Sequence, residues 1–439
     1  MTTFHKLLIL LCFCVNIIFA NDFPVTAQTT PNGQTYWAHK IDDLGFVTFI
    51  FTFKNTGIAS DPLDKLGATA MLCGVLERGG GAYAEEEIAK LLKNIPCDLS
   101  ISAGGTEVCI SVRVPTKDLP IAFSILGNIL SVKQMPEEKL ALIIKQTIAS
   151  LEQSLHDPSA IANNYFQEQF IGNHPLNRQV KTLLKALPTI VPLDLTNSLQ
   201  NIFQKNKLQV TLVGDYDIKK WDILLDGFLE NLYPETKAYK LPKVNFQNLG
   251  EHKHSEYDVP QTVMFFAAPC IDAKHDDFLA FSLGIEMIGG PESELFKEVR
   301  EKRGLVYYIV AGVNGDPDLS MIRGQAGFLP DKTNEVIAII KNVITDAHST
   351  LSDKKITQYL ESAKHSFAFA RTNTFQIAGL MKNSQLLGRS INWLSSYPER
   401  LSKLKPGDIK KALKEHLHVD HFLFTTVGRM PQSLTVSKS

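Results

Sequence analysis

The chain repeats itself. Ser60–Gly81 reads SDPLDKLGATAMLCGVLERGGG, and His275–Gly290 reads HDDFLAFSLGIEMIGG. With their Gly-Gly pairs superposed, Ala70 falls on Ala280 and Gly74 on Gly284. VTFIFTF (Val47–Phe53) has VMFFAAP (Val263–Pro269) as its counterpart, and QVTLVGDYD, which closes the first half, matches FLFTTVGRM, which closes the second. Three segment pairs in one order, at offsets of about 210 to 216, mark a duplicated domain. Such a chain must fold as two copies of one plan: strand, buried helix, hairpin, long helices, closing strand.

Local patterns fill in that plan. Ser60–Gly81 is predicted to be one buried helix, with Asp61 as N-cap, Pro62 in the first turn and glycines from Gly79 as the stop. Leu63, Leu66, Ala70, Met71 and Leu76 form its apolar face. Phe46–Phe53 reads as a buried strand and Glu85–Lys93 as a short helix. Leu99–Val114 reads as a hairpin turning at Gly104-Gly105, with Ser100 opposite Cys109, and as core sheet. Helices are predicted over Asp118–Leu130 and Pro136–Leu155, and from Asp157-Pro158 through Gln169, after which GNHP places His174 in a loop. A strand at Gln209–Gly214 and a helix at Ile218–Leu232 close the first half. In the second half, helices are expected over Asp331–Leu351, Ser352–Thr372 and Pro406–Leu417. The predicted class is α+β: two homologous domains of about 200 residues, each a mostly antiparallel sheet packed with helices. The expected boundaries are 1–20 for a signal peptide, 21–235 for the first domain, 236–256 for a polar linker and 257–439 for the second domain.

The first twenty residues have a polar start, a short apolar run from Leu7 to Ile18, and Ala20 as a small residue for cleavage. That run is too short for a spanning helix, and no later stretch resembles one, so an exported chain without a stable membrane anchor is expected. Removing Lys6 with this segment leaves 44 basic against 46 acidic side chains, a net charge near −2. That balance argues against nucleic-acid binding through bulk charge. Cys73, Cys97, Cys109 and Cys270 remain after cleavage, and a Cys97–Cys109 bridge across the hairpin is left open. The histidines of HKH (His252–His254) and HLHVDH (His416–His421) each fall short of a metal ligand count and read as surface residues.

The stretch IGGPESELFKEVREKRGLVYY (Ile288–Tyr308) carries the most specific resemblance. It is similar to L-G-G-x-x-x-S-x-L-F-x-x-[LV]-R-E-K-x-G-L-x-Y of the insulinase-like zinc metallopeptidases. That family includes pitrilysin, the mitochondrial processing peptidase and paired bacterial periplasmic peptidases. The resemblance runs from about Val25 to Arg429 and implies that each chain forms a clam-like half. Catalytic members carry H-x-x-E-H on the first-half helix. Histidines at i and i+4 share one helical face and hold zinc, while the Glu serves as base for the bound water. Here Ala70, Cys73 and Gly74 stand at those positions. The family's third ligand, a Glu roughly 75 residues on, falls near Ala149 or Ser150, as judged from the following HDPSA. One soft thiol does not make a zinc site, so no metal is assigned to this chain and Cys73 reads as a core residue.

What the resemblance leaves is Arg300 and Tyr307, seven apart in R-E-K-R-G-L-V-Y. In catalytic relatives an Arg and a Tyr at this spacing face the zinc across a closed cavity, where the Arg holds a substrate carbonyl or carboxylate and the Tyr donates to the developing oxyanion. In two-subunit relatives a metal-free chain supplies this pair. Gly289-Gly290 corresponds to a glycine-rich loop that handles substrate in the metal-free mitochondrial subunit. The preferred expectation is therefore a non-catalytic subunit of a heterodimeric zinc peptidase, not active alone, exported to a bacterial periplasm. Its partner would carry H-x-x-E-H and the zinc, and the substrates would be peptides. The alternatives are a peptide-binding or scaffold protein on the same fold, and a self-sufficient peptidase, which the missing ligands disfavour. In the plainest alternative for the pair, Arg300 is a helix-face salt-bridge partner and Tyr307 a core residue.

Overall fold

The computed structural model describes residues 23–79, 86, 90, 95–132, 135–236, 239–314, 318–370 and 373–430. The predicted signal segment and most of the predicted helix at 85–93 lie outside them. The first sheet holds strands β1 (Thr26–Thr29), β2 (Thr35–Lys40), β3 (Phe46–Lys54), β4 (Asp98–Ala103), β5 (Glu107–Pro115) and β6 (Leu208–Gly214), in the order β1-β2-β6-β3-β5-β4. The second holds β7 (His252–Glu256), β8 (Thr262–Pro269), β9 (Val306–Asn314), β10 (Met321–Phe328) and β11 (Leu423–Gly428), in the order β7-β11-β8-β10-β9. Dropping β1 makes the two orders the same. In each sheet one pair is parallel, β2 with β6 and β7 with β11, and the other pairings are antiparallel. The duplication read from three segment pairs is therefore a duplication of topology. The last five residues of the expected linker are not linker: His252–Glu256 form β7 on β11.

The closing V-G pairs have a shared cause. Gly214 and Gly428 both take positive φ, +124° and +159°. A Cβ on Gly214 would sit 2.3 Å from the Phe46 carbonyl oxygen, and one on Gly428 would sit 2.8 Å from Thr262 Oγ1. Each glycine lets the closing strand end against the start of its neighbour.

The buried helix starts later than predicted. Two short 3₁₀ turns, Ile58–Ser60 and Leu63–Lys65, precede α1 (Ala68–Glu77), whose N-cap is Gly67 at φ 95°. Asp61 still caps it, from a distance: its carboxylate accepts from the Gly67 N–H at 2.9 Å, the Thr69 N–H at 3.2 Å and the Thr69 hydroxyl at 2.6 Å. The cap signal was thus sound but acted across a folded-back turn, and Leu63, predicted inside, is 78% exposed. The helices α2 (Leu119–Leu130), α3 (Glu137–Ser154), α4 (Pro158–Ile171), α5 (Pro192–Ile202) and α6 (Ile218–Leu229) follow. In the second half come α7 (Phe278–Gly289), α8 (Thr333–Thr350), α9 (Asp353–Ala370), α10 (Thr374–Leu386) and α11 (Pro406–His416). Asp157 and Asp217 cap α4 and α6 through the Ala160 and Lys220 amides.

Each sheet is covered on one face by its own helices and on the other by a helix of the other half. Along β3, Val47, Phe49, Phe51 and Phe53 join the first core with α1, α2 and α6. Its opposite face puts Ile50 with Ile377, Ala378 and Met381 of α10. Along β8, Met264, Phe266 and Ala268 face the second half's core, while Val263, Phe265 and Ala267 pack on Ala162, Phe166 and Phe170 of α4. The two halves therefore interlock. His174 is in a loop, as predicted, and holds that junction: its Nε2 lies 2.9 Å from the Pro242 carbonyl oxygen, and its Nδ1 accepts from the Leu176 N–H.

Candidate functional site

The first-half site is built on α1. Cys73 is 3% exposed and belongs to the first core. Burial, with the Glu77 and Asp61 charges nearby, pushes its thiol up to about 12. It is therefore held as a neutral thiol, the wrong state for a metal ligand. Ala70 packs partly buried against the same core, and a Cβ built on Gly74 would touch only the Ile143 side chain of α3, at 3.4 Å. Ala149 lines a 550 Å³ groove between α3 and residues 188–192, with Ile144, Ile148, Ile190 and Pro192. A catalytic zinc needs three side-chain donors facing an open position, and these residues offer an apolar wall; they do not fit the ion.

Next to α1 runs β4. The hairpin register differs from the expected one by two residues: Ser102, not Ser100, stands opposite Cys109. Cys97 precedes β4, and all four described cysteines are free. The hairpin is also not all core, since β4 is an edge strand with its residues alternately exposed. An exposed sheet edge of this kind can receive an extended peptide as an added strand. Here the Glu77 carboxylate accepts from the Ile101 N–H at 2.7 Å and from the Ser100 hydroxyl at 3.2 Å. The last residue of the degenerate helix thus occupies an outward amide that an added strand would use.

Arg300 and Tyr307 lie at the equivalent place in the second half. Arg300 is in a π-helical turn, Phe296–Glu301, with its guanidinium 5.1 Å from the Phe296 ring centre. The ion pairs of this turn run from Lys302 and Arg303 to Glu298. Tyr307 is on β9, the edge strand that corresponds to β4. The β9–β10 register shifts at Gly327/Phe328, which pair with Tyr308 and Val306, so Tyr307 is the extra residue of a bulge. It is 48% exposed. A bulge and a π-turn are both devices that re-aim side chains. Neither residue fits the plain alternatives: Tyr307 is not core, and Arg300 lies over a ring.

Gly289 and Gly290 have packing reasons. A Cβ on Gly289 would come within 2.5 Å of the Ala311 Cβ and 2.6 Å of the Ala311 oxygen, so α7 needs glycine to lie against β9. A Cβ on Gly290, the C-cap, would meet the Glu286 carbonyl oxygen at 2.7 Å.

The two histidine motifs are not plain solvated surface. His252 Nε2 and His254 Nδ1 share the Thr426 hydroxyl at 2.8 and 3.0 Å. His416 Nε2 meets the Asp277 carboxylate at 2.9 Å, and its ring lies edge-on to His275. That cluster was missed because HDD and HLHVDH are about 140 residues apart. A 540 Å³ cavity between the halves was missed for the same reason; Glu107, Phe278, Leu380, Arg389 and Trp393 are among its lining residues.

Known proteins place this architecture. Residues 189–362 match the family profile described as the peptidase M16 inactive domain. A non-peptidase homologue, YmxG of Helicobacter pylori, is 23% identical over 401 residues, covering 88% of this chain and 89% of that protein. The peptidase M16 inactive domain of Pseudomonas fluorescens superposes with a TM-score of 0.82 at 20% identity, covering 93% of this chain and 98% of that one. The periplasmic protease PqqL of Escherichia coli superposes at 0.77 and 14% identity, covering 93% of this chain but 45% of its own. The inactive-domain match and the non-peptidase relative agree with the expectation that this chain is not a peptidase by itself. Among the described residues no helix is long and apolar enough to cross a membrane. The chain thus matches the peptidase M16 inactive domain over residues 189–362 and shares the fold of solved M16 inactive-domain proteins along nearly its whole length.

Proposed function

We propose that this chain is the metal-free half of a two-chain zinc peptidase, lending Arg300 and Tyr307 to a zinc centre held by a partner's H-x-x-E-H. The observation that carries the reading is Tyr307, a large aromatic left half exposed on a bulged edge strand beside an Arg-bearing π-turn. Core packing does not call for it there. Arg300 would hold a substrate carbonyl or carboxylate, and the Tyr307 hydroxyl would donate to the oxyanion as the carbonyl is attacked. The degenerate first half, its edge amide taken by Glu77, would leave substrate docking to the partner. A further support is that this chain spans less than half of the PqqL protease, the share expected of one clam half. The work would take place after export, in a periplasm, with Gly289-Gly290 placing the Arg/Tyr edge and not itself contacting peptide.

The second reading, a scaffold or peptide-binding protein without catalysis, is favoured by the apolar groove at Ala149, where relatives have a metal ligand. Quenched-fluorescence peptides incubated with the chain, with its H-x-x-E-H partner, and with both, separate the two. Cleavage greatly raised in the mixture supports the two-chain enzyme. Association without added turnover supports the scaffold. Chelator-sensitive cleavage by this chain alone contradicts both.

A further inference from the structure

We infer that His275, Asp277 and His416 form a binding site for one divalent transition-metal ion of the zinc, cobalt or nickel kind, separate from the family's metal position and independent of the function proposed above. The three residues come from two distant segments. His275 and Asp277 stand immediately before α7, with Asp277 as its N-cap, and His416 is the last residue of α11. One ligand atom from each lies within 4.8 Å of the others. Two imidazoles and one carboxylate suit these ions better than magnesium or calcium, which prefer all-oxygen shells.

The spacing of the His416–Asp277 pair is close to that of two ligands on one ion. His416 Nε2 and the Asp277 carboxylate share a proton at 2.9 Å. Around a tetrahedral ion with bonds of about 2.0–2.2 Å, an N···O pair is roughly 3.3 Å apart. The ion therefore replaces that proton after a shift of a few tenths of an ångström. His275 Nδ1 accepts from the Asp277 N–H at 3.1 Å, so an ion bound there takes this lone pair in place of that hydrogen bond. Access is open, because His275 is exposed and a 280 Å³ cleft lies beside Asp277. Lys411 lies near enough to Asp277 to limit affinity for a cation. A bound ion would pin the start of α7 to the end of α11, two helices that already touch through Gly284 and Leu413.

Cobalt(II) and zinc chloride are the probes, added to the purified, tag-free mature chain. The expected result is one cobalt per chain, with visible d–d absorption that zinc displaces, and an unfolding temperature raised by zinc. His275→Ala and His416→Ala should each weaken binding at least about tenfold and abolish the zinc-dependent rise. His254→Ala should leave both unchanged. His275 is exposed, so its variant tests the site without disturbing the fold, and circular dichroism checks that. No cobalt absorption at one equivalent, or equal binding by both alanine variants, would overturn the inference.

Discussion

The two crossing helices bind their sheets by different means. Where α10 of the second half covers the first sheet, the contact is partly polar: the Thr48 hydroxyl donates to Thr374 Oγ1 at 2.7 Å, and the Thr211 hydroxyl donates to Gln385 Oε1 at 2.8 Å. Where α4 of the first half covers the second sheet, the contact is aromatic. Phe166 stacks on Phe265 at 5.5 Å, and the Arg323 guanidinium lies over both rings and donates to Asn163 Oδ1 at 2.6 Å. The duplicated copies kept one topology while the chemistry of their contacts diverged. The edges diverged in the same way. In the first half the degenerate helix closes β4 through Glu77, and in the second half β9 presents Tyr307 and Val310, 48% and 50% exposed. Surface chemistry, more than fold, separates the copies.

Breaking the aromatic crossing should have the largest effect. Phe166→Ala removes a fully buried ring and is expected to cost about 3–5 kcal/mol, read by denaturant unfolding. Thr48→Val breaks the polar crossing and is expected to cost about 1 kcal/mol. Equal losses would mean that the two crossings are not different in kind.

The duplicated helices sharpen the contrast. Gly74 and Gly284 occupy the same turn, but a Cβ at Gly284 would meet Leu413 at 2.9 Å, while one at Gly74 has only Ile143 at 3.4 Å. Gly284→Ala is expected to destabilise by about 1 kcal/mol or more. Gly74→Ala should be neutral or stabilise by up to about 1 kcal/mol, because alanine favours a helix. The same unfolding series checks both.

The smallest effect concerns pH and belongs to the second half. Burial holds the His254 imidazole below its ordinary range, against the opposing pull of Glu256. The unfolded chain therefore takes up the proton first as pH falls through about 6.5. Stability from this group is fully present above that pH and is lost as pH falls toward the folded value. His254→Gln should flatten the slope of unfolding midpoint against pH between about 7 and 5.

The sequence made the repeated plan legible because its signals are local: apolar strand runs, capping aspartates, glycines at the end of the buried helix. Asp61 marked a helix start correctly, yet its carboxylate reaches Gly67 and Thr69 across a turn that no local pattern announces. The β4–β5 register slipped by two residues from expectation because the turn is centred one residue later, on Gly105-Thr106, where the Gly104 N–H donates to the Glu107 carbonyl oxygen at 2.7 Å. That α4 and α10 would exchange sheets was not legible, since Phe166 and Ile377 show only that each helix is buried somewhere. At the candidate site, the loss at Ala70, Cys73 and Gly74 could be read residue by residue, and so could the Arg300/Tyr307 spacing. Glu77 on the Ile101 amide and the bulge at Tyr307 depend on strand positions in space.

The central claim is that the second half's exposed pair serves chemistry carried by another chain. The most direct measurement is peptide turnover by the assembled two-chain complex with Arg300→Ala or Tyr307→Phe in this chain, with assembly checked by size-exclusion chromatography. The account predicts intact assembly and a loss of about 10²-fold for removing a donor to the oxyanion, with Glu77→Ala in the first half leaving turnover unchanged. Unaltered turnover in both second-half variants, with the complex intact, would contradict it.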